Sequence, residues 1–265
     1  MILLSPAKTQ DFTTAPDTRK GSKPAYIAET GVLCGALRTY NVKELGSLMH
    51  ISDALADLNV DRFATWSPHF AKQKQNQAGT YNFKQAIFAF RGDVYFAFEN
   101  NSFSAAEFDT MEKRVLIISG FYGLLTPLTF IKPYRLEMKT QLSFAHKGTE
   151  YKNLYEYWRD LLTCDLKSQL KKDEIIINLA SNEYAKAIHF TAIPNEKIDV
   201  TFKNRKNGVT KIVAVYAKRQ RGEMAVWLIK NKAHSVMEMK KYKNDGYAYS
   251  AALSTKQNLV FLKQD

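Results

Sequence analysis

Cysteine is scarce in this sequence, and long apolar runs are missing. The chain has 265 residues and two cysteines, Cys34 and Cys164, which lie far apart and form no CxxC pair. A disulfide framework and a cysteine-based zinc site are therefore not indicated. No apolar run approaches the roughly 18 residues that a membrane-spanning helix needs, and the first strand is too short for the apolar region of a signal peptide. We expect a cytoplasmic protein with no membrane partner.

Catalytic and metal-binding signatures are also missing. The histidines are dispersed and form no HxxxH or HExxH pattern; they are His50, His69, His146, His189 and His234. The sequence contains no GxSxG, no glycine-rich dinucleotide fingerprint and no glycine-rich phosphate loop. It therefore predicts no metal and no bound cofactor, and no motif identifies a catalytic residue.

An excess of positive charge is the most prominent feature that is present. Lys and Arg number 38 against 26 Asp and Glu, which gives a formal net charge of +12 and a pI near 9.5. Such an excess favours polyanionic partners, and nucleic acid is the commonest large polyanion in a cell. A basic surface that is merely solvated is the alternative. With 45% apolar residues, the composition otherwise indicates a globular protein with a substantial core.

Apolar periodicity predicts strands that alternate with helices. The clearest helix covers 154–170, where an apolar residue recurs at every fourth position from Leu154 to Leu170. Further helices are predicted at 26–39, 103–114 and 181–188, and strands at 2–4, 115–118, 174–179, 198–202 and 211–216. This alternation is typical of a mixed α/β fold. We expect one compact domain over 1–265, with a mixed central sheet flanked by helices.

Two short helices are predicted within 42–66, on either side of the sequence His50-Ile51-Ser52. A hairpin of helices can present backbone N–H groups to a phosphate, but helix pairs that merely pack are commoner, and this turn has no glycine. The polar stretch 71–82 that follows is predicted to be an exposed loop.

Candidate binding residues follow the first strand and interrupt two later apolar runs. Lys8 lies in the loop SPAKT, and α/β proteins bind ligands beyond the carboxyl ends of their strands. A lysine in a surface turn is the alternative. Arg91 and Asp93 separate two apolar runs, so they either pair with each other or reach into a cleft.

Two other irregular segments carry polar candidates. The stretch 119–138 is too irregular for one helix or strand, and loops of that length in compact domains tend to be functional; its polar members are Tyr134, Arg135 and Glu137. Ser181 closes a strand and is predicted to cap the next helix. Glu183 and Lys186 in that helix could also line a cleft.

Cations are crowded between Ala217 and Met224. Because a strand is predicted to end at 216, a helix would begin here with Lys218 and Arg221 close to its N-terminus. Positive charge at that end of a helix costs about 0.3–1 kcal/mol per residue unless an anion neutralises it. Arg221 also shares a helix face with Met224 and Leu228, which predicts that it points into a cleft. We interpret the segment as phosphate-binding, with a solvated cationic turn as the alternative.

Seven motifs occur in order along nearly the whole chain: SPAKT, MHIS, FRGDVY, SGFYGLLTPL with PYRLEM, LYEYW, NLASNEY and YAKRQRGEM. Together they resemble the motifs of the YaaA family of bacterial peroxide-stress proteins. The resemblance implies a mixed sheet surrounded by helices, a helix-hairpin-helix-like element at 42–66 and a strongly positive cleft. It also implies binding to DNA, duplex or branched and largely without sequence reading, and protection against peroxide by limiting iron-driven damage. Carried over by position, the cleft residues are Lys8, Arg91, Arg135, Lys186, Lys218 and Arg221.

An enzyme that acts on a nucleotide or a nucleic-acid base in the same cleft is the rival hypothesis. Acids and aromatics accompany the cations in the strand-end loops, which phosphate binding alone does not require. The candidates for proton transfer are Asp93, Glu137, Glu183 and Tyr184. A third hypothesis, direct iron sequestration, is disfavoured by the dispersed histidines and the lack of a cysteine cluster.

Overall fold

A computed structural model describes residues 1–17 and 19–264. The α-helices are α1 Ile27–Leu37, α2 Val42–Met49, α3 Asp53–Thr65, α4 Ala86–Ala89, α5 Phe96–Glu99, α6 Ala105–Arg114, α7 Leu154–Gln169, α8 Asn182–Ala185, α9 Ala214–Lys230 and α10 Val236–Met239. The strands are β1 Ile2–Leu4, β2 Thr9–Gln10, β3 Lys84–Gln85, β4 Phe90–Arg91, β5 Val115–Ser119, β6 Gly123–Leu125, β7 Phe130–Ile131, β8 Phe144–His146, β9 Thr149–Tyr151, β10 Ile176–Asn178, β11 Lys197–Lys206, β12 Val209–Lys211, β13 Lys243–Asn244, β14 Tyr247–Tyr249 and β15 Asn258–Gln264. Two short 3₁₀ turns cover Phe190–Ala192 and Ala251–Leu253.

Nine strands form the central sheet, in the order β13-β14-β15-β11-β10-β1-β5-β6, with β12 paired to β11. The strands from β15 to β5 run parallel, and the pairs at both edges are antiparallel. Every residue of β1, β5 and β10 is buried, as expected for parallel strands that are covered on both faces. The predicted mixed α/β fold is confirmed.

The strongly periodic helices lie close to where the sequence predicts them. In α7, Leu154, Trp158, Leu162 and Leu166 are buried, and the Asn153 side chain caps the first turn. Ser104 and Glu107 form a capping box at the start of α6. These two helices are therefore specified by local signals: an apolar stripe and a capping residue.

The predicted strand at 211–216 is wrong, because its second half, 214–216, belongs to α9. The chain turns at Asn207 and Gly208, both with positive φ, and β12 pairs with β11 only as far as the register Asn204–Lys211. Beyond that pair the helix begins at Ala214. The predicted helix at 181–188 is likewise shorter, since α8 covers only Asn182–Ala185.

The two helices predicted within 42–66 are present as α2 and α3. His50, between them, adopts a left-handed conformation with φ of 52°, so this turn forms without glycine. Asn41 and Glu44 form a capping box that fixes the start of α2. A DNA-binding role for this pair of helices stays a prediction.

The segment 71–82 is a mostly exposed loop, as predicted, closed by an isolated bridge between Gln75 and Tyr81.

Among residues 1–17 and 19–264, none of the helices has the length and apolar character that crossing a membrane would require.

Candidate functional site

A cavity of about 280 Å³ opens at the carboxyl ends of β1 and β10. In the sheet, β1 lies between β5 and β10. The chain therefore adds β5 on one side of β1 and, later in the sequence, β10 on the other side. Ligands of open α/β sheets bind at such a switch point, outside the carboxyl ends of the strands. Its walls are the loop after β1, the segment 91–95, the loop after β10, and α9.

Hydrogen bonds join three of these walls at Ser5. Its Oγ accepts a bond from the Ser181 N–H at 2.8 Å, and its carbonyl oxygen accepts one from the Tyr95 hydroxyl, also at 2.8 Å. Ser181 occupies the N-cap position of α8, as predicted, but its side chain makes no cap hydrogen bond. Its backbone N–H joins the loops after β1 and β10 instead.

The fourth wall, α9, is held against the segment 91–95 by a glycine. A Cβ atom on Gly222 would lie 1.9 Å from the carbonyl oxygen of Val94, far inside van der Waals contact. Only glycine therefore allows this close approach of helix and loop. Gly92 in the same loop has φ of 143°, a conformation that side chains rarely adopt. The packing places the neighbouring Arg221 at the edge of the cavity.

Arg221 and Lys218 line the cavity from α9, though not from its N-terminus as predicted. Because α9 begins at Ala214, both residues lie beyond the first turn, where the helix dipole has little effect. In the part of the chain that the structure describes, neither side chain has an ion-pair partner, and Nε of Arg221 is buried without a hydrogen-bond acceptor. Burial lowers the pKa of the Arg221 guanidinium.

Lys8 also lines the cavity, but it is already engaged in an ion pair. Its Nζ lies 2.8 Å from Glu137 Oε1, and Arg135 and Lys139 approach the same carboxylate at 3.4 and 3.5 Å. Burial acts to raise the pKa of Glu137, but the hydrogen bond from Lys8 and the charges of the three cations lower it overall. Glu137 is therefore an anionic anchor for these cations.

Arg91 lines the cavity and is paired too, although not with Asp93. Its guanidinium lies 3.1 Å from Asp11 Oδ2 and contacts Glu99 as well. Asp93 lies 3.8 Å from Nε of Arg219. The Arg91–Asp93 pair considered from the sequence is therefore not formed: Arg91 pairs with Asp11 and Glu99, and Asp93 lies beside Arg219.

The structure brings together four of the six predicted cations at one cavity: Lys8, Arg91, Lys218 and Arg221. Arg135 and Lys186 do not line it; Arg135 is bound to Glu137, and Lys186 is an exposed residue at the end of α8. Of the candidates for proton transfer, Asp93, Glu183 and Tyr184 line the cavity. Glu137 lies in a neighbouring cleft beside His50.

Asp11 organises several of these contacts, although no sequence motif singled it out. Its carboxylate accepts hydrogen bonds from the Thr13 and Thr14 N–H groups at 2.8 and 3.1 Å, and it pairs with the buried Lys84 and with Arg91. The sequence Asp-Phe-Thr-Thr is typical of a turn in which an aspartate binds the backbone beyond it. That local signal was available, but the pairing with Lys84 and Arg91 is long-range.

Asp11→Asn is expected to remove about 2 kcal/mol of folding free energy at pH 7, because charge-assisted hydrogen bonds to a partly buried group are lost. Burial acts to raise the pKa of Asp11, but bonds from Thr14 and Thr13 lower it far below its ordinary value. A depressed folded-state pKa gives stability that is present above the unfolded pKa of about 3.9 and is lost as pH falls further.

Urea unfolding between pH 7 and pH 2 measures this effect. The difference between wild type and Asp11→Asn is expected to shrink from pH 5 downward. Asp57→Asn, at an exposed site on α3, is the control and is expected to change stability by less than about 0.5 kcal/mol. A difference that stays constant over the whole pH range contradicts the assigned role of the Asp11 carboxylate.

Comparison with known proteins identifies the family to which the chain belongs. A family model described as "Peroxide stress protein YaaA" matches residues 1–253, which include all four walls of the cavity. The chain belongs to the YaaA family of peroxide stress proteins. It is 42% identical to a UPF0246 protein of Shewanella sp. (strain W3-18-1) and 43% identical to one of Shewanella baltica (strain OS223), each over 100% of this chain and 99% of the relative. The family resemblance of the motifs is confirmed.

Proposed function

We propose that this protein binds DNA, duplex or branched, through backbone phosphates at the mouth of the cavity, largely without sequence reading, as part of a peroxide-stress response that limits iron-driven damage. The observation that carries the proposal is the convergence of Lys8, Arg91, Lys218 and Arg221, from three separate segments, on one opening. With a net charge of +12, the chain as a whole also attracts a polyanion.

These four cations are not equally available to bind a phosphate. Lys8 and Arg91 are held by carboxylates, so they position the loops and contribute less net charge. Lys218 is exposed and has no ion-pair partner in the described ranges 1–17 and 19–264. The exposed Lys206 and Lys211 lie in the β11–β12 hairpin, which leads directly into α9. A phosphate backbone that follows the hairpin and the exposed side of α9 would meet these lysines in turn.

The helix pair α2 and α3 provides a second contact surface in this proposal. A cleft of about 440 Å³ separates the end of α2, including His50, from residues 137–141. Glu137 lines that cleft and binds Lys8, which lines the cavity. The cleft and the cavity are therefore neighbours, so one DNA molecule can contact both.

Fluorescence anisotropy with a duplex and a four-way junction across a salt series tests the proposal. If three to five phosphates are neutralised, the logarithm of the association constant should fall with the logarithm of salt concentration with a slope of about −3 to −4.5 for duplex DNA. A flat salt response, or no binding near physiological salt, refutes it.

An enzyme that acts on a nucleotide or a nucleic-acid base is the second candidate. It is favoured by one observation: the cavity holds Asp93, Glu183 and Tyr184 beside the cations, as general acid–base chemistry on a bound phosphate compound would need. Burial raises the pKa of the Tyr184 hydroxyl, so this group would act as a donor and not as a base.

Glu183→Gln separates the two candidates. DNA binding predicts that this change leaves the affinity for a closed duplex without ends within about twofold and also preserves peroxide resistance of cells that depend on the protein, since no phosphate-binding charge is removed. Glu150→Gln, at an exposed strand residue, is the matched control. Full DNA affinity combined with lost peroxide resistance would favour the enzyme.

A further inference from the structure

Arg221 and Lys218 lie one turn apart on α9 and reach different depths of the cavity. Lys218 is exposed, whereas Arg221 is half-buried and its Nε is fully covered. Within the described residues this Nε has no acceptor. A largely buried guanidinium without a carboxylate partner is costly, and an anion that binds this guanidinium from the cavity would offset that cost.

The charge balance of the cavity indicates what that acceptor is. Lys8 is engaged by Glu137 and Arg91 by Asp11 and Glu99, so among the described residues Lys218 and Arg221 are the cavity-lining cations without an ion-pair partner. An internal phosphodiester of DNA carries one negative charge. A phosphomonoester carries close to two above its second pKa of about 6, and guanidinium groups bind its oxygens in a bidentate manner. A dianionic monoester therefore matches the two free cations better.

The size and the other walls of the cavity limit what is attached to the phosphate. A volume of about 280 Å³ is slightly smaller than that of ordinary small-ligand pockets, about 300–1,000 Å³, so a duplex cannot enter. An internal phosphate reaches the rim at Lys218, and only a projecting terminal group reaches Arg221. Pro6, Val94 and Leu179 offer apolar surface for a sugar or base.

The two carboxylates that line the cavity fit the same arrangement. Glu183 and Asp93 would repel a phosphate next to them, and they accept hydrogen bonds from sugar hydroxyl or base amino groups. The phosphate therefore belongs at the α9 wall, and the nucleoside belongs toward Glu183 and the apolar residues.

We propose that the cavity binds the terminal phosphomonoester of a DNA strand, with the phosphate on Arg221 and Lys218 and the last nucleoside against the apolar wall. This inference rests on the proposed DNA binding and specifies its ligand. Radical scission of a sugar–phosphate chain leaves phosphate-bearing ends, which accords with a peroxide-stress family. A free nucleotide carries the same chemistry, so the experiment must separate the two sources.

The test is fluorescence anisotropy with four DNAs of one stem sequence. Three are hairpin duplexes whose single end carries a 5′-phosphate, a 3′-phosphate or only hydroxyl groups, and the fourth is a dumbbell duplex with no end. A 5′- or 3′-phosphate end is expected to bind about tenfold more tightly than the hydroxyl end. Arg221→Met and Lys218→Met should each abolish that preference; Lys218 is exposed, so its substitution leaves the fold intact. Arg159→Met, on α7 and outside the cavity, should retain it.

Each result has one reading. Equal affinity for all four DNAs overturns the strand-end inference but leaves the proposed DNA binding intact. If none of the four DNAs binds, the proposed function itself is wrong. Calorimetric titration with a deoxynucleoside 5′-monophosphate tests whether the ligand is a free nucleotide instead. If it binds more tightly than any phosphorylated end and the ends show no preference, the ligand is a free nucleotide and the strand-end assignment is wrong.

Discussion

Gly222→Ala is expected to destabilise the protein by about 3 kcal/mol or more, the upper range for overpacking a buried site. The added Cβ would lie 1.9 Å from the carbonyl oxygen of Val94, and this neighbour is backbone that cannot rotate away. Either α9 or the segment 91–95 must move, and both form walls of the cavity. Chemical denaturation measures the loss of stability, and DNA affinity should fall with it because Arg221 moves.

Gly35→Ala is the matched control, since Gly35 is also inside a helix. Nothing lies within 4 Å of a Cβ atom built there, and the residue is exposed on α1. Alanine has the better helix propensity, so this change should stabilise the protein by about 0.5–1 kcal/mol. The two alanine substitutions are thus expected to have opposite signs. A small effect at Gly222 would mean that α9 and the segment 91–95 are not packed as described.

The double variant Lys218→Met/Arg221→Met is expected to lower the affinity for duplex DNA with a phosphorylated end by about 10- to 100-fold. Each charge-assisted hydrogen bond contributes about 1.5–3 kcal/mol where it is not exposed, and Lys218 at the rim contributes at the low end. The salt dependence should also become shallower, with the slope falling by about one for each phosphate that the variant no longer neutralises. Anisotropy across a salt series gives both quantities.

Arg159→Met/Lys167→Met is the control, because it removes the same charge from exposed positions of α7, which does not line the cavity. Its effect on affinity should stay within a few-fold, the contribution of the overall field. If both double variants weaken binding equally, only the net charge matters and the cavity has no special role.

Local sequence signals account for the helices and much of the sheet. The apolar stripe of α7 and the Ser104 capping box of α6 act within a few residues, so their positions could be predicted. The start of α9 could not, because Val213 to Tyr216 suit a strand as well as a helix. Their state is decided by where β12 stops pairing with β11.

In the candidate site, too, local motifs were predictive and long-range contacts were not. The motifs identified the family and four of the cations that meet at the cavity. The sequence did not predict that Glu137 would hold Lys8, or that Asp11 would hold Arg91 and Lys84, since these pairs join positions more than 70 residues apart. Such pairs depend on the sheet order. Ion pairing therefore decides which cations are available, and the sequence alone does not reveal it.

The most direct test of the account observes the guanidinium of Arg221 itself. In ¹⁵N–¹H spectra of arginine side chains, the signal that disappears in Arg221→Met identifies its Nε–H. On titration with a phosphorylated hairpin duplex, this signal is expected to shift as a phosphate binds the Arg221 guanidinium, and the signal of Arg159 should not respond. If the DNA binds and the Arg221 signal stays where it was, no phosphate binds Arg221 in the cavity, and the proposed strand-end site is wrong.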